Sequence, residues 1–186
     1  MNILWILILI TVFAGILMYN FLIARKNQVA NIFGSIDALL KKRYDLIPNL
    51  VASVKEYMKH EKEILEKITQ LRSRAIKSDL LEDEKLEIDK EITDMLHAVL
   101  VSVENYPELK ANENVLHLQA ALNEIEEQIS AARRAYNQAV TDYNNAIEMF
   151  PTNIIAGFLG YRPKKIFEAD NRSRKNVDVK ELFDRQ

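Results

Sequence analysis

Three short patterns carry the residues best suited to chemistry. His60-Glu61 begins like the zinc-binding His-Glu-x-x-His helix, where two imidazoles four apart share one face and the glutamate acts as base. The position four beyond His60 is Ile64, so the second imidazole is missing and the pair reads as solvent-facing. Asp94 and His97 stand three apart, the spacing with which di-iron bundles present a carboxylate and an imidazole on one helix face. Such a centre needs a second pair of the same spacing, and the other candidate, Glu113 and His117, is spaced by four. A metal-dependent enzyme built on Asp94, His97, His117 and glutamates is therefore the rival reading, not the favoured one.

Other chemistries lack their material. The sequence contains no Gly-x-Ser-x-Gly, no phosphate-cradling glycine loop and no dinucleotide fingerprint. It has no cysteine, which removes disulfides and thiolate ligands, and only four glycines and four prolines in 186 residues. A net charge of −2 gives no electrostatic case for nucleic acid. No catalytic residue, cofactor-binding residue or metal ligand is predicted.

The elements that would position any site are helical. Low glycine and proline with 48% hydrophobic and 28% charged residues predict an all-α chain. Residues 1–24 contain no Asp, Glu, Lys or Arg, and a membrane-spanning helix needs about 20 mostly apolar residues. A cleaved signal peptide is the competing reading. It calls for a basic start, a shorter apolar run and a small-x-small cleavage site, none of which is present. Arg25, Lys26, Lys41, Lys42 and Arg43 follow the span and no cation precedes it. The excess of cations on the cytoplasmic side predicts a single-pass protein of the cell membrane, N-terminus outside and the large domain in the cytoplasm.

Beyond the span, apolar residues recur in steps of three and four from Val29 through Phe33, Ile36, Leu40, Tyr44 and Ile47 to Val51, Val54, Met58, Leu65, Ile68, Leu71 and Ala75. Phase is kept across Pro48, which predicts one long helix over about 24–76 with a kink there. The alternative is two helices meeting at a tight corner, with Asp45 and Asn49 as caps. A second helix is predicted over about 82–104, with Ile88, Ile92, Met95, Val99 and Val103 on one face. An extended connector through Pro107 leads to a helix start around Asn112 and a third long helix to about 149. Its seam is Leu118, Leu122, Ile125, Ile129, Ala132, Tyr136, Ala139, Tyr143 and Ile147, coiled-coil-like in its spacing. Such stripes must cover one another. The expected architecture is an N-terminal transmembrane helix (1–24), an antiparallel bundle of three or four long helices (25–160) and a polar tail (161–186). The polar stretch "EADNRSRKNVDVKELFDRQ" is expected to be loosely held, and the basic "RPKK" reads as solvated or as touching anionic lipid.

Two places stand out as candidate interaction surface. One is "RYDLIPN", with Arg43, Asp45 and Asn49. The other is a pair of tyrosine–asparagine dipeptides seven residues apart, Tyr136-Asn137 and Tyr143-Asn144, which read either as a recognition stripe or as bundle packing.

In order along the chain, "RKNQV", "SID", "LKKRYDLIPNLVASVKEY", "YPELKAN", "LQAALNEIEEQISAARRAYNQAVTDYNNAI" and "FPTNIIAGFLGY" resemble the LemA family over nearly the whole length. The resemblance implies an anchored cytoplasmic helical bundle and no established enzyme activity. Family members are linked to envelope functions and to neighbouring membrane metallopeptidases. The function expected is a non-catalytic scaffold. Its partners would be membrane lipid through residues 1–24 and other membrane or cytoplasmic proteins, a membrane metallopeptidase among them. A membrane-organising homo-oligomer is the alternative.

Overall fold

The computed structural model describes residues 2–77, 80 and 82–167. Six helices form among them: α1 (Asn2–Val54), α2 (Lys62–Ala75), α3 (Glu82–Val103), α4 (Pro107–Lys110), α5 (Glu113–Glu148) and α6 (Thr152–Phe158). No strand occurs among the described residues. The all-α expectation holds.

Helix α1 runs for 53 residues, about 80 Å at 1.5 Å per residue, from the apolar N-terminal stretch onward. By length and composition it can cross a membrane. It passes through Pro48 without ending, as the favoured reading held, but it stops at Val54 rather than near residue 76. The bend falls in "KEYMKHE", which contains neither glycine nor proline. Buried Met58 fills the corner, and the Tyr106 hydroxyl donates to both Glu61 carboxylate oxygens at 3.0 and 2.9 Å. Seven residues are two helical turns, so a corner of that length leaves the apolar phase intact, and periodicity alone cannot reveal it.

The chain divides into two compact units, Ala30–Arg134 and Met1–Val29 with Ala135–Gln186. In the Ala30–Arg134 unit, side-chain pairs fix the helix directions. Asp37 meets Lys85, and Arg43 and Tyr44 meet Thr93 and Asp89, so α1 and α3 run the same way. Tyr44 meets Arg72 of α2, while Asp89 and Thr93 lie towards Arg133 and Glu126 of α5, so those two helices run opposite. The result is an up-down-up-down arrangement of four helices. Its core includes Ile36, Leu40, Ile47, Leu50, Ile68, Leu71, Ile92, Val99, Leu122 and Ile129, all buried. Leu96 rather than Met95 occupies the inner face of α3, and Leu50 rather than Val51 that of α1. The connector after α3 is not fully extended. It closes the short helix α4, seats Leu109 in the interior, and ends at Asn112, whose side-chain oxygen accepts from the Asn114 and Val115 amides to cap α5.

In the other unit, α5 ends at Glu148 and α6 follows. Gly160 adopts φ 67°, which only glycine takes without cost. With Tyr161 N–H bonded to the Ala156 carbonyl and Gly160 N–H to that of Gly157, it closes α6 in a Schellman turn. Residues 161–167 then run back along α5. The stretch expected to be loosely held, 168–186, lies outside the described residues.

Candidate functional site

The polar centre of the Ala30–Arg134 unit grows from one carboxylate. Asp89 stands where α3 should offer an apolar residue to the core, and it is 0% exposed. An isolated charge there would cost several kcal/mol, so it must be paired. Arg43 of α1, itself 1% exposed, pairs with one Asp89 oxygen through Nη2, and the Tyr44 hydroxyl donates to the same oxygen at 3.2 Å. Arg133 of α5 donates to the other oxygen from Nη2 at 2.6 Å. The second Arg43 nitrogen, Nη1, donates to Glu126 at 2.5 Å and to the Thr93 hydroxyl at 3.1 Å. Two guanidiniums and two carboxylates thus close on each other with no net charge. Three helices are tied at one level by them.

Burial lowers the Arg43 guanidinium from its ordinary value, opposed chiefly by the Glu126 carboxylate. Burial likewise pushes the Tyr44 phenol up to about 12. The Asp89 carboxylate holds two guanidiniums and a phenol, two contacts on one oxygen and one on the other. The network ties α1, α3 and α5 together. Beside it lies a cavity of about 90 Å³, bordered by Arg43, Thr93, His97, Asn123 and Glu126. Among the described residues no group of three or more His, Asp or Glu side chains is placed to hold a metal ion. His60, His97 and His117 are exposed.

The seven residues singled out from sequence fall in different settings. Arg43 is buried inside the bundle, where it pairs with Asp89. Asp45 and Asn49, two and six residues further along α1, are exposed. The reason for a proline between them is visible in α2. Pro48 has no N–H to give the Tyr44 carbonyl, and Arg72 Nε donates to that carbonyl at 2.8 Å instead. The Arg72 Nη2 also lies 3.9 Å from Asp45. "RYDLIP" is, in part, a seat for Arg72.

Tyr136 and Tyr143 are buried. Tyr136 meets the Phe167 ring edge-on at 4.8 Å, and the Tyr143 hydroxyl donates to the Arg162 carbonyl at 3.2 Å. Asn137 and Asn144 take the backbone of the returning segment in paired hydrogen bonds. Asn144 donates to the Lys164 carbonyl and accepts from its amide, both at 2.9 Å; Asn137 does the same with Phe167 at 2.9 and 2.7 Å. Seven residues of helix rise about 10.5 Å and three of extended chain about 10 Å, so the two asparagines match positions 164 and 167. The repeat reads main chain of this same molecule.

Sequence reasoning missed Asp89, Arg133 and Arg72. Asp89 had a usable signal, a charge flanked by Ile88 and Ile92 on the apolar face of α3. Arg133 and Arg72 had none, since each sits among other surface-type charges.

An all-α chain with a four-helix unit, an interior closed ion network and an apolar helix long enough to span a bilayer is a helical-bundle protein with a candidate membrane anchor. The LemA family pattern matches residues 32–180. Protein LemA of Metamycoplasma hominis is 32% identical over 163 residues, 88% of this chain and 74% of that protein. The chain belongs to the LemA family. Two magnetosome proteins of Paramagnetospirillum magneticum, MamQ 1 and MamQ 2, are each 27% identical over 88 residues, which is 47% of this chain and 32% of theirs.

Proposed function

We propose that the chain is a non-catalytic scaffold held in the cell membrane by residues 1–24, with its N-terminus outside and its bundle in the cytoplasm, where it docks other membrane or cytoplasmic proteins in envelope processes. The observation that carries this reading is the closed network around Asp89. The most deeply placed charged groups pair with one another, and what faces outward is a set of helix surfaces. On α1 that surface includes Asp45 and Asn49, and Asn49 borders a concavity of about 450 Å³ shared with Ala52, Ser53, Asn114, His117 and Leu118. Shape and mixed polarity there suit a protein segment.

A photo-crosslinking residue placed at Asn49 in the full chain, irradiated in intact membranes, tests the reading. A discrete adduct to a second protein is expected, absent when the same residue replaces exposed Glu87 on α3. An adduct of twice the chain's mass would favour the homo-oligomer, and a metal ion purifying in stoichiometric amount would favour the enzyme. For orientation, a reporter fused at Gln186 should be active only in the cytoplasm; activity of an export-dependent reporter there sinks the topology.

A further inference from the structure

In the Met1–Val29/Ala135–Gln186 unit, the end of the apolar span is covered while its beginning is bare. Residues 3–13 are exposed, Met18 is half-buried, and Leu22 is 0% exposed. The described chain available to cover Leu22 in this unit is 135–167. Two contacts set the level: Arg25 pairs with Asp142 at 3.4 Å, and the Lys26 ammonium sits 5.1 Å from the centre of the Tyr161 ring. These cations are the first two after the uncharged stretch.

Just before Tyr161, the chain shows water its most apolar face outside the span. Phe150 is 79% exposed and Phe158 88%, with Ile154 and Met149 also exposed. Ile154 and Phe158 stand four apart on α6, on the side away from buried Ala156, and Phe150 precedes the helix in the turn that leads into it. Phe158 precedes Tyr161 by three residues, so it lies within about 10 Å of it along the chain. Residues 18–22 of α1 lie about 6–12 Å from Lys26 on the apolar side. The headgroup region on each side of a bilayer is only about 5–8 Å deep, and interfacial helices sink about 5–10 Å into its boundary with the acyl chains. Phe158 is thus within reach of the depth of that boundary, and the cations Arg162 and Lys165 follow it in the chain.

We propose that α6 and its approach form a second membrane contact, with Phe150, Ile154 and Phe158 inserted at the headgroup–acyl boundary beside the emerging span. The occupant is lipid rather than protein because these residues adjoin the span in the same unit and are followed at once by cations. This rests on the reading of residues 1–24 as an anchor, and the test separates the two. Trp5 is the chain's single tryptophan. The full chain is reconstituted at low density into phosphatidylcholine–phosphatidylglycerol vesicles whose acyl chains carry bromine near the headgroup end. Three forms are compared: the unaltered chain, Trp5→Phe/Phe158→Trp, and Trp5→Phe/Tyr57→Trp, whose reporter sits at the exposed bundle corner. Because quenching demands contact at acyl depth, emission from position 158 should fall roughly two-fold or more and shift to the blue, while that from position 57 is unchanged. Trp5→Phe/Ile154→Trp, on the same side of α6, should behave as position 158 does. If Trp5 is quenched but positions 154 and 158 respond no more than position 57, the second contact is refuted and the anchor stands. Shielding of 154 and 158 from acrylamide without bromine quenching would mean that protein covers them, which also refutes it. If Trp5 itself is not quenched, both the anchor and the second contact fail.

Discussion

Replacing Arg72 should cost far more stability while residue 48 is proline than when it is alanine. Pro48 deprives the Tyr44 carbonyl of its partner within the helix, and Arg72 Nε supplies one at 2.8 Å. A hydrogen bond to a charged donor contributes about 1.5–3 kcal/mol, and the quarter exposure of the Arg72 side chain argues for the lower end. Its contact with the well-exposed Asp45 carboxylate at 3.9 Å adds no more than about 0.5 kcal/mol. Arg72→Met keeps most of the aliphatic stem in place, so the expected loss is about 1.5–2 kcal/mol. In a Pro48→Ala background the amide of residue 48 can take the Tyr44 carbonyl, and Arg72→Met should then cost only about 0.5 kcal/mol. Pro48→Ala alone should be neutral or mildly stabilising, since one partner replaces another and the ring is gone. The coupling of about 1 kcal/mol exceeds the roughly 0.3–0.5 kcal/mol within which independent sites add. Urea unfolding of the full chain in mild detergent, followed by helical circular dichroism, measures all four forms of the cycle. Additive losses, or a Pro48→Ala chain clearly weaker than the original, would refute the exchange of partners.

Arg43→Met leaves Asp89 buried with one cation fewer and should destabilise by about 3 kcal/mol in the same assay, whereas adding Asp89→Leu should recover much of the loss. Tyr44 has its folded value raised to about 12 from 10.0, so its contribution is complete below pH 10 and fades as pH rises towards 12. Up to about 2.5 kcal/mol should disappear over that window, and Tyr44→Phe should remove this part of the alkaline slope. Asn144→Ala removes both hydrogen bonds to Lys164, about 1–2 kcal/mol of local hold, and tryptic cleavage after Lys165, followed by mass spectrometry, should speed up about tenfold.

Much of this architecture is written in periodicity. The α3 and α5 stripes, the Asn112 cap and the uncharged N-terminal run each follow from residue type and spacing over a few turns, and each has its counterpart in the structure. What escaped is tertiary. The α1–α2 corner carries no breaker and preserves phase, so nothing local marks it. Arg43 looks like one cation of a basic "KKR" cluster, and only the charge on α3 explains why it turns inward. Asn137 and Asn144 were visible as a pair at the right interval, yet their partner, seven residues of returning chain, was not legible from the helix that carries them. The same pairing shows why the tyrosines beside them are buried: the returning segment covers them.

The seat of Arg72 also bears on how the helices choose among alignments. Stripes of apolar residues spaced by three and four nearly repeat every seven positions, so sliding α2 along α1 by two turns would bury almost as much oil and lose little. The missing amide at Pro48 occurs once and does not repeat. After such a slip the Tyr44 carbonyl would be left without a donor, at about 1–3 kcal/mol, and Arg72 would face a helix surface whose carbonyls are already taken. One absent hydrogen atom thus turns a nearly degenerate ladder of registers into a single favoured one, in the way a solitary buried asparagine fixes the alignment of a coiled coil.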